Sequence, residues 1–263
     1  MKLLITGGAG HIGSFFLRKL LDSCEIAKLI LIDDFSVERY VSIIGSIGHP
    51  KLVVVRQDFR EFNDFDLVAD VDFVIHMAAI TDAASSFERR DRVEQTNYGL
   101  TSSAVELCES LGKPLIFFSS TSVYGSSQTV VNEDQPESLN PQSPYAETKL
   151  REEALIRSKL QNQHIILRLG TIFGFSPGIR FHTAVNKFCL QACLGEPLTV
   201  WSTARDQVRP YLALEDCYEA VRFLMDKGEI EGDTFNVLTG NYSVSDVLNA
   251  ISSNGLDIKI QFV

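Results

Sequence analysis

Lys2-Leu3-Leu4-Ile5-Thr6-Gly7-Gly8-Ala9-Gly10-His11-Ile12-Gly13 opens the chain with a short apolar run followed at once by glycines spaced three apart. The run is apolar on both faces, as a strand covered by helices on both sides must be. Ser14–Ser23 continues it with the period of a helix. Strand, glycine turn and helix in that order make a phosphate-binding corner. Gly7 suits the tight turn, Gly10 lets backbone approach a pyrophosphate, and Gly13 allows close helix–strand packing, with the helix N-terminus facing the phosphate charge. The spacing is Gly-x-x-Gly-x-x-Gly rather than the commoner Gly-x-Gly-x-x-Gly. Asp33 and Asp34 end the second apolar run about 20 residues further on, where an acid accepts hydrogen bonds from ribose hydroxyls and repels the extra phosphate of NADP. NAD is therefore the expected cofactor. Asp58, after the third run, is placed either to meet the adenine edge or to cap a helix.

Outward from that corner, apolar runs and helical stretches alternate, the pattern of a Rossmann-type α/β fold with a doubly wound parallel sheet. The runs are Lys2–Thr6, Lys28–Ile32, Leu52–Arg56, Phe73–His76, Leu115–Ser119 and Ile165–Arg168. Helices are expected at Ser14–Ser23, Thr101–Leu111 and Tyr145–Asn162, with a polar, proline-bearing loop from Ser126 to Pro144. From about Gly170 the rhythm breaks. Helices at Thr183–Leu194, Glu215–Lys227 and Val244–Ser252, with strands at Leu198–Trp201, Thr234–Val237 and Asp257–Phe262, suggest a small C-terminal α/β substrate cap. The expected division is residues 1–170 for the cofactor and 171–263 for the cap, with some strands returning to the main sheet.

The 263 residues carry a net charge of −10 and no cluster of Lys or Arg, which argues against a nucleic-acid or anionic-membrane surface. The N-terminus reaches glycine too soon for a signal peptide or a membrane span, so a cytoplasmic protein is expected. Five scattered cysteines make neither a disulfide framework nor a zinc signature, and no metal is expected. Cys189 and Cys193 share a helix face and read as free, buried thiols.

Tyr145 and Lys149, four apart in Ser143-Pro144-Tyr145-Ala146-Glu147-Thr148-Lys149, fall on one helix face. Lowering a phenol pKa by about 3 units takes about 4 kcal/mol. An ammonium about 4 Å away supplies about that much at an effective dielectric of about 20. Tyr145 can then serve as an acid/base for an alcohol or carbonyl, although the same spacing also suits a plain amphipathic helix start. Ser119 and Ser120, at the end of the fifth run, are placed either to share a substrate proton or to cap the strand.

Together these motifs resemble the extended short-chain dehydrogenase/reductase superfamily, above all its NAD-dependent nucleotide-sugar epimerases and dehydratases of the UDP-galactose 4-epimerase type. The resemblance runs from about Lys2 to Val237 and rests on Thr6–Gly13, Ile32–Asp34, Asp58, His76–Ala79, Asn97, Ser119–Gly125 and Tyr145–Lys149. It implies that Gly7, Gly10, His11, Ile12 and Gly13 hold the pyrophosphate. It implies that Asp33, Asp34, Asp58 and Phe59 meet the adenosine, and that Ala78, Ala79, Asn97 and Ser119 line the cofactor channel. Ser120, Tyr145 and Lys149 match the catalytic residues, Lys149 also binding the nicotinamide ribose. Thr81, Ser120, Thr171 and Arg209 match substrate-binding positions, Arg209 gripping the nucleotide diphosphate. A nucleotide-sugar substrate and a homodimer joined through Thr101–Leu111 and Tyr145–Asn162 are implied as well.

This chain also departs from the family. Thr121 and Ser122 stand where dehydratases carry Asp-Glu or Glu, and neither is a carboxylate. Dehydration and decarboxylation are disfavoured, leaving epimerisation at C4 of an NDP-hexose through a 4-keto sugar, with a dehydrogenase, a ketoreductase or a non-catalytic NAD-binding relative as alternatives. Thr171 replaces an asparagine, Pro210 replaces an aspartate, and the cap is expected to be short because Val263 ends the chain where relatives usually continue.

Overall fold

The computed structural model describes residues 1–81, 85–126, 130–228, 230–255 and 258–263. In chain order the strands are β1 (Lys2–Thr6), β2 (Lys28–Asp33), β3 (Leu52–Arg56), β4 (Phe73–His76), β5 (Leu115–Ser120) and β6 (His164–Leu169), then β7 (Thr171–Phe173), β8 (Leu198–Val200), β9 (Arg209–Ala213), β10 (Asp233–Val237), β11 (Gly240–Tyr242) and β12 (Ile260–Phe262). The helices are α1 (His11–Asp22), α2 (Phe65–Val68), α3 (Arg90–Leu111), α4 (Pro144–Leu160), α5 (Ala184–Leu194), α6 (Leu214–Lys227) and α7 (Val244–Ser253).

Seven strands form one parallel sheet in the order β10-β6-β5-β4-β1-β2-β3. Strand order reverses between β1 and β4, so a crevice opens beyond their carboxyl ends, where such sheets bind ligands. Successive side chains of a strand point to opposite faces. Leu3 and Ile5 enter a core shared with α1 and α6, whereas Leu4 enters a second core with α3 and α4. All three are fully buried. Truncating one of them to alanine costs about 2–5 kcal/mol.

The main-sheet strands match the sequence expectation to within a residue at each end. Two helices begin earlier than their apolar period suggests. Glycine does not stop α1 from starting at His11, and α3 starts at Arg90, its first two turns being almost wholly polar and so outside any apolar period, with Val93 the first side chain to be buried.

In the second half, β10 pairs with β6 in the main sheet, while β11-β9-β7 and β12-β8 form two small sheets. Phe188, Ala192, Leu198, Val200, Val244, Leu248 and Ile251 make a separate small core there. The first residue of the expected strand Asp257–Phe262 lies outside the described residues, and β12 begins at Ile260. Cys189 and Cys193 are free but exposed rather than buried, because α5 turns Phe188 and Ala192 inward and the thiols outward. Among the described residues no helix is long and apolar enough to cross a membrane, and no group of three His, Cys, Asp or Glu could hold a metal ion.

Candidate active site

A cleft of about 760 Å³ lies over the switch point between β1 and β4. Its floor is the glycine turn. Gly7 has φ +71°, and a Cβ there would lie 2.6 Å from Ala78 Cα, so no other residue fits without moving backbone. A Cβ at Gly13 would lie 2.5 Å from Gly8 Cα, which is how closely the turn and helix pack. Helix α1 follows Gly10, with no side-chain cap and no acid in its first turn. Its free N–H groups and dipole are thus open to an anion.

Asp33 closes β2 at the cleft wall. Its Oδ2 accepts from Ala9 N at 2.9 Å and its Oδ1 from Phe35 N at 2.9 Å. Each oxygen keeps a lone pair for a ribose hydroxyl. Burial raises its pKa above the usual carboxylate value despite those bonds. Asp34, Asp58 and Phe59 line the same end. Asp58 caps the turn at Phe59–Glu61 and is held by Arg60, whose hydrogen bonds lower its pKa, so the capping role left open by the sequence is present here. The chain thus has a cradle for a pyrophosphate and an acidic wall for an adenosine, and these residues fit NAD.

Ala78, Ala79, Thr81, Ser119, Ser120, Tyr145 and Thr171 line the rest of the cleft with Ile12 and His11. The His11 ring meets Gly174 O at 2.8 Å, and burial lowers its pKa, so it is neutral. Tyr145 is placed by a sharp helix start, in which Ser143 caps α4 by accepting from Ala146 N at 3.2 Å and Pro144 takes the first turn. Ser120 shares the cleft wall with Tyr145 and favours its ionised form. Lys149 lies behind Tyr145, its ammonium 5.9 Å from the Tyr145 ring centre and 4.4 Å from that of Phe117.

Three expected residues stand off the cleft wall. Lys149 is buried beneath it. Asn97 is fully buried, with Oδ1 accepting from Ile80 N at 2.8 Å and Nδ2 donating to Ile80 O at 3.0 Å, so it holds the loop after β4. Arg209 lies on β9 with its guanidinium on Gln207 at 2.9 Å. The expectation for Tyr145 also needs correcting. Burial raises its pKa, outweighing the opposing pull of Lys149, Arg180 and Ser120, with Glu152 adding to the rise. The simple charge estimate counted the ammonium and left out desolvation.

Arg39, Arg89, Arg180, His182 and Ser122 also line the cleft, and nothing in the sequence pattern marked the first four. Arg180 Nη1 donates to Thr81 Oγ1 at 2.5 Å, and Arg39 Nη1 to Gly178 O at 2.5 Å. Both tie the loop after β7 to the nucleotide side. Ser122 Oγ is buried without a hydrogen-bond partner among the described residues, which suits a polar ligand group.

A sequence profile of the NAD dependent epimerase/dehydratase family matches residues 3–237. The uncharacterized UDP-glucose epimerase YtcB of Bacillus subtilis (strain 168) is 29% identical over 264 residues, covering 96% of this chain and 80% of that protein. The dTDP-D-glucose 4,6-dehydratase of Dictyostelium discoideum is 29% identical over 270 residues, covering 94% of this chain and 60% of that protein. The crystal structure of UDP-glucuronic acid 4-epimerase from Bacillus cereus, in complex with UDP-glucuronic acid and NAD, superposes with a TM-score of 0.88 at 26% identity, over 100% of this chain and 86% of that one. Proteins similar to this chain are thus named for both epimerase and dehydratase chemistry.

Proposed function

Because the chain belongs to the NAD-dependent epimerase/dehydratase family, we propose that it epimerises a nucleotide sugar at C4 through a 4-keto sugar. The observation that carries this reading is the distribution of acids in the cleft. Among the described residues lining it, the carboxylates are Asp33, Asp34 and Asp58, all at or just past the ends of β2 and β3. On the cleft side of Tyr145 the lining carries Ser120 and Ser122, with Thr121 Oγ1 turned to Leu169 O at 3.1 Å, while Glu152 is buried behind Tyr145 and does not line the cleft. Elimination of water needs an acid and a base there, whereas moving one hydroxyl proton needs only Tyr145.

In this mechanism the ionised form of Tyr145, which burial disfavours and Lys149 favours, takes the C4 hydroxyl proton while Ser120 holds the hydroxyl oxygen. Lys149, buried behind it, stabilises the phenolate charge. NAD, which the turn from Gly7 to Gly13 and Asp33 would hold, would supply a reversible hydride acceptor for C4, and a keto sugar turned between the two transfers would leave as the C4 epimer. Tyr145 then gives its proton back, so the cycle consumes nothing. Arg180 and the free N–H groups of α1 offer donors to the diphosphates.

Purified protein given UDP-hexoses should form the C4 epimer without added cofactor, as chromatography of the sugar nucleotides would show. Tyr145→Phe should lower kcat at least a hundredfold. Stoichiometric growth of the NADH absorbance band on adding substrate, or full activity in Tyr145→Phe, would overturn the reading. The reading includes a homodimer built on α3 and α4, whose outer faces are laced by the Arg90–Glu147 and Arg151–Glu94 ion pairs. A sedimentation mass of one chain would remove that part.

A further inference from the structure

Glu152 is fully buried on α4, one turn beyond Lys149 and two beyond Tyr145. Its Oε2 lies 3.2 Å from Lys149 Nζ and has no hydrogen bond of its own among the described residues, so the two meet as charges. Its Oε1 accepts from Thr101 Oγ1 at 2.6 Å. A carboxylate only accepts, which sets the direction of the rest of the line. Thr101 gives its one proton to Glu152 and so accepts from His76 Nε2 at 3.3 Å. His76 Nδ1 then accepts from Thr6 Oγ1 at 2.6 Å. His76 is neutral, because burial, with Lys149 adding, holds its pKa at about 3. A polar line thus runs from β1 through β4 and α3 to the ammonium behind Tyr145, and all of its members are buried.

We propose that Glu152 is a positioning residue of the active site, its carboxylate drawing the Lys149 ammonium away from the Tyr145 phenol toward the buried Thr101–His76–Thr6 line. The charged and titratable groups facing this cluster are Tyr145, Lys149 and Glu152 from α4, His76 from β4 and Arg180 from the loop after β7. Phe117 and Ser120 face it from β5 and carry no charge. Of these groups Glu152 alone is an anion beside the phenol, so it opposes ionisation of Tyr145 both directly and by sharing the ammonium. The geometry divides one cation between a buried carboxylate and an acid/base, and the division fixes the pH at which the phenolate becomes available. The inference rests on the proposed reaction only in the role assigned to Tyr145.

The test is an ultraviolet tyrosinate titration of the full chain as purified, with no sugar added, using the matched Tyr145→Phe protein as the blank so that Tyr145 alone is read. In Glu152→Gln, Tyr145 should ionise about one pH unit lower than in the parent, a tenfold larger phenolate fraction below the midpoint. Thr101→Val removes the donor on Oε1 and leaves the carboxylate wholly to Lys149, so there the midpoint should rise. Circular dichroism read alongside sets the pH at which each protein unfolds. An unmoved or higher midpoint in Glu152→Gln, or no ionisation in it before unfolding, would overturn the proposal. Should Glu152→Gln not fold, Thr101→Val decides alone, a rise supporting the proposal and an unmoved midpoint ending it. A purely structural role would change stability without moving either midpoint. Because no turnover is read, absence of epimerase activity would sink the proposed reaction and leave this result standing.

Discussion

At the residue scale, Asp33 is the side chain on which the proposed preference for NAD turns. Its two oxygens are fixed by the Ala9 and Phe35 amides, so the carboxylate is oriented before any ligand arrives. Hydrogen bonds to a charged acceptor contribute about 1.5–3 kcal/mol. Asp33→Asn should therefore weaken NAD binding roughly tenfold or more and narrow the preference over NADP, as calorimetric titration with each would show. Because burial raises the Asp33 pKa, protonation should begin to weaken NAD binding at a higher pH than the ordinary carboxylate value of 3.8 would give. Equal affinity for NAD and NADP in the parent would refute the assignment. Asp33 was legible in the sequence because it ends an apolar strand a fixed distance after a glycine turn. Arg180 was not, since its loop has no period and its partner Thr81 stands 99 residues earlier in the chain.

At the element scale, α4 is anchored by a charge that the cleft does not use. Glu153 is fully buried and accepts from Ser119 Oγ at 2.6 Å, while Arg168 of β6 reaches its Oε1 through Nε at 3.0 Å and its Oε2 through Nη2 at 2.7 Å. Arg168 Nη1 also donates to Tyr124 Oη at 2.7 Å, and Tyr124 Oη donates to Asn236 Oδ1 at 2.9 Å, so the network ties α4 to β5, β6 and β10. Breaking a buried pair by removing one partner costs about 3–5 kcal/mol. Arg168→Met should lower the stability measured by urea unfolding by about that much. Burial pushes the Glu153 carboxyl up, but Arg168, Ser119 and Arg157 together outweigh it and hold the pKa below 4.5. A depressed carboxyl stabilises the fold above its unfolded pKa. That stability should be lost as pH falls below 4.5 through the folded value, and the loss should be flattened in Arg168→Met. β1, β2, β4, β5 and β6 were legible because burial on both faces leaves a continuous apolar run. β7, β9 and β11 were not, for two of them have three residues each and β9 carries Pro210, whose missing N–H argues against a strand anywhere but at selected sheet positions. The first turns of α3 escaped for a different reason, because their outward faces are polar and only Val93 points into the core.

At the scale of the whole molecule, the cleft walls come from nearly the full length of the sheet's carboxyl edge, from Gly7 after β1 to Thr171 on β7 and Thr183 before α5. The two halves of the chain share one frame. β10 is hydrogen-bonded to β6, and Cys217, Tyr218, Val221 and Met225 of α6 sit in the same core as Phe16 and Leu20 of α1. A chain held this way should unfold in a single transition, and a ligand that binds only the folded form should raise that transition by mass action. At a free NAD concentration of about 100 times Kd the added stability is about 2.7 kcal/mol. With about 2–4 °C per kcal/mol for domains of roughly this size, Tm should rise by roughly 5–10 °C. NADP at the same concentration should raise Tm much less, because its extra phosphate must approach Asp33 and Asp34. Differential scanning calorimetry can decide the matter. One peak shifted by NAD is the expected outcome, whereas two peaks of which only the first responds would mean that the cap melts independently and that the cleft is not a property of the whole fold.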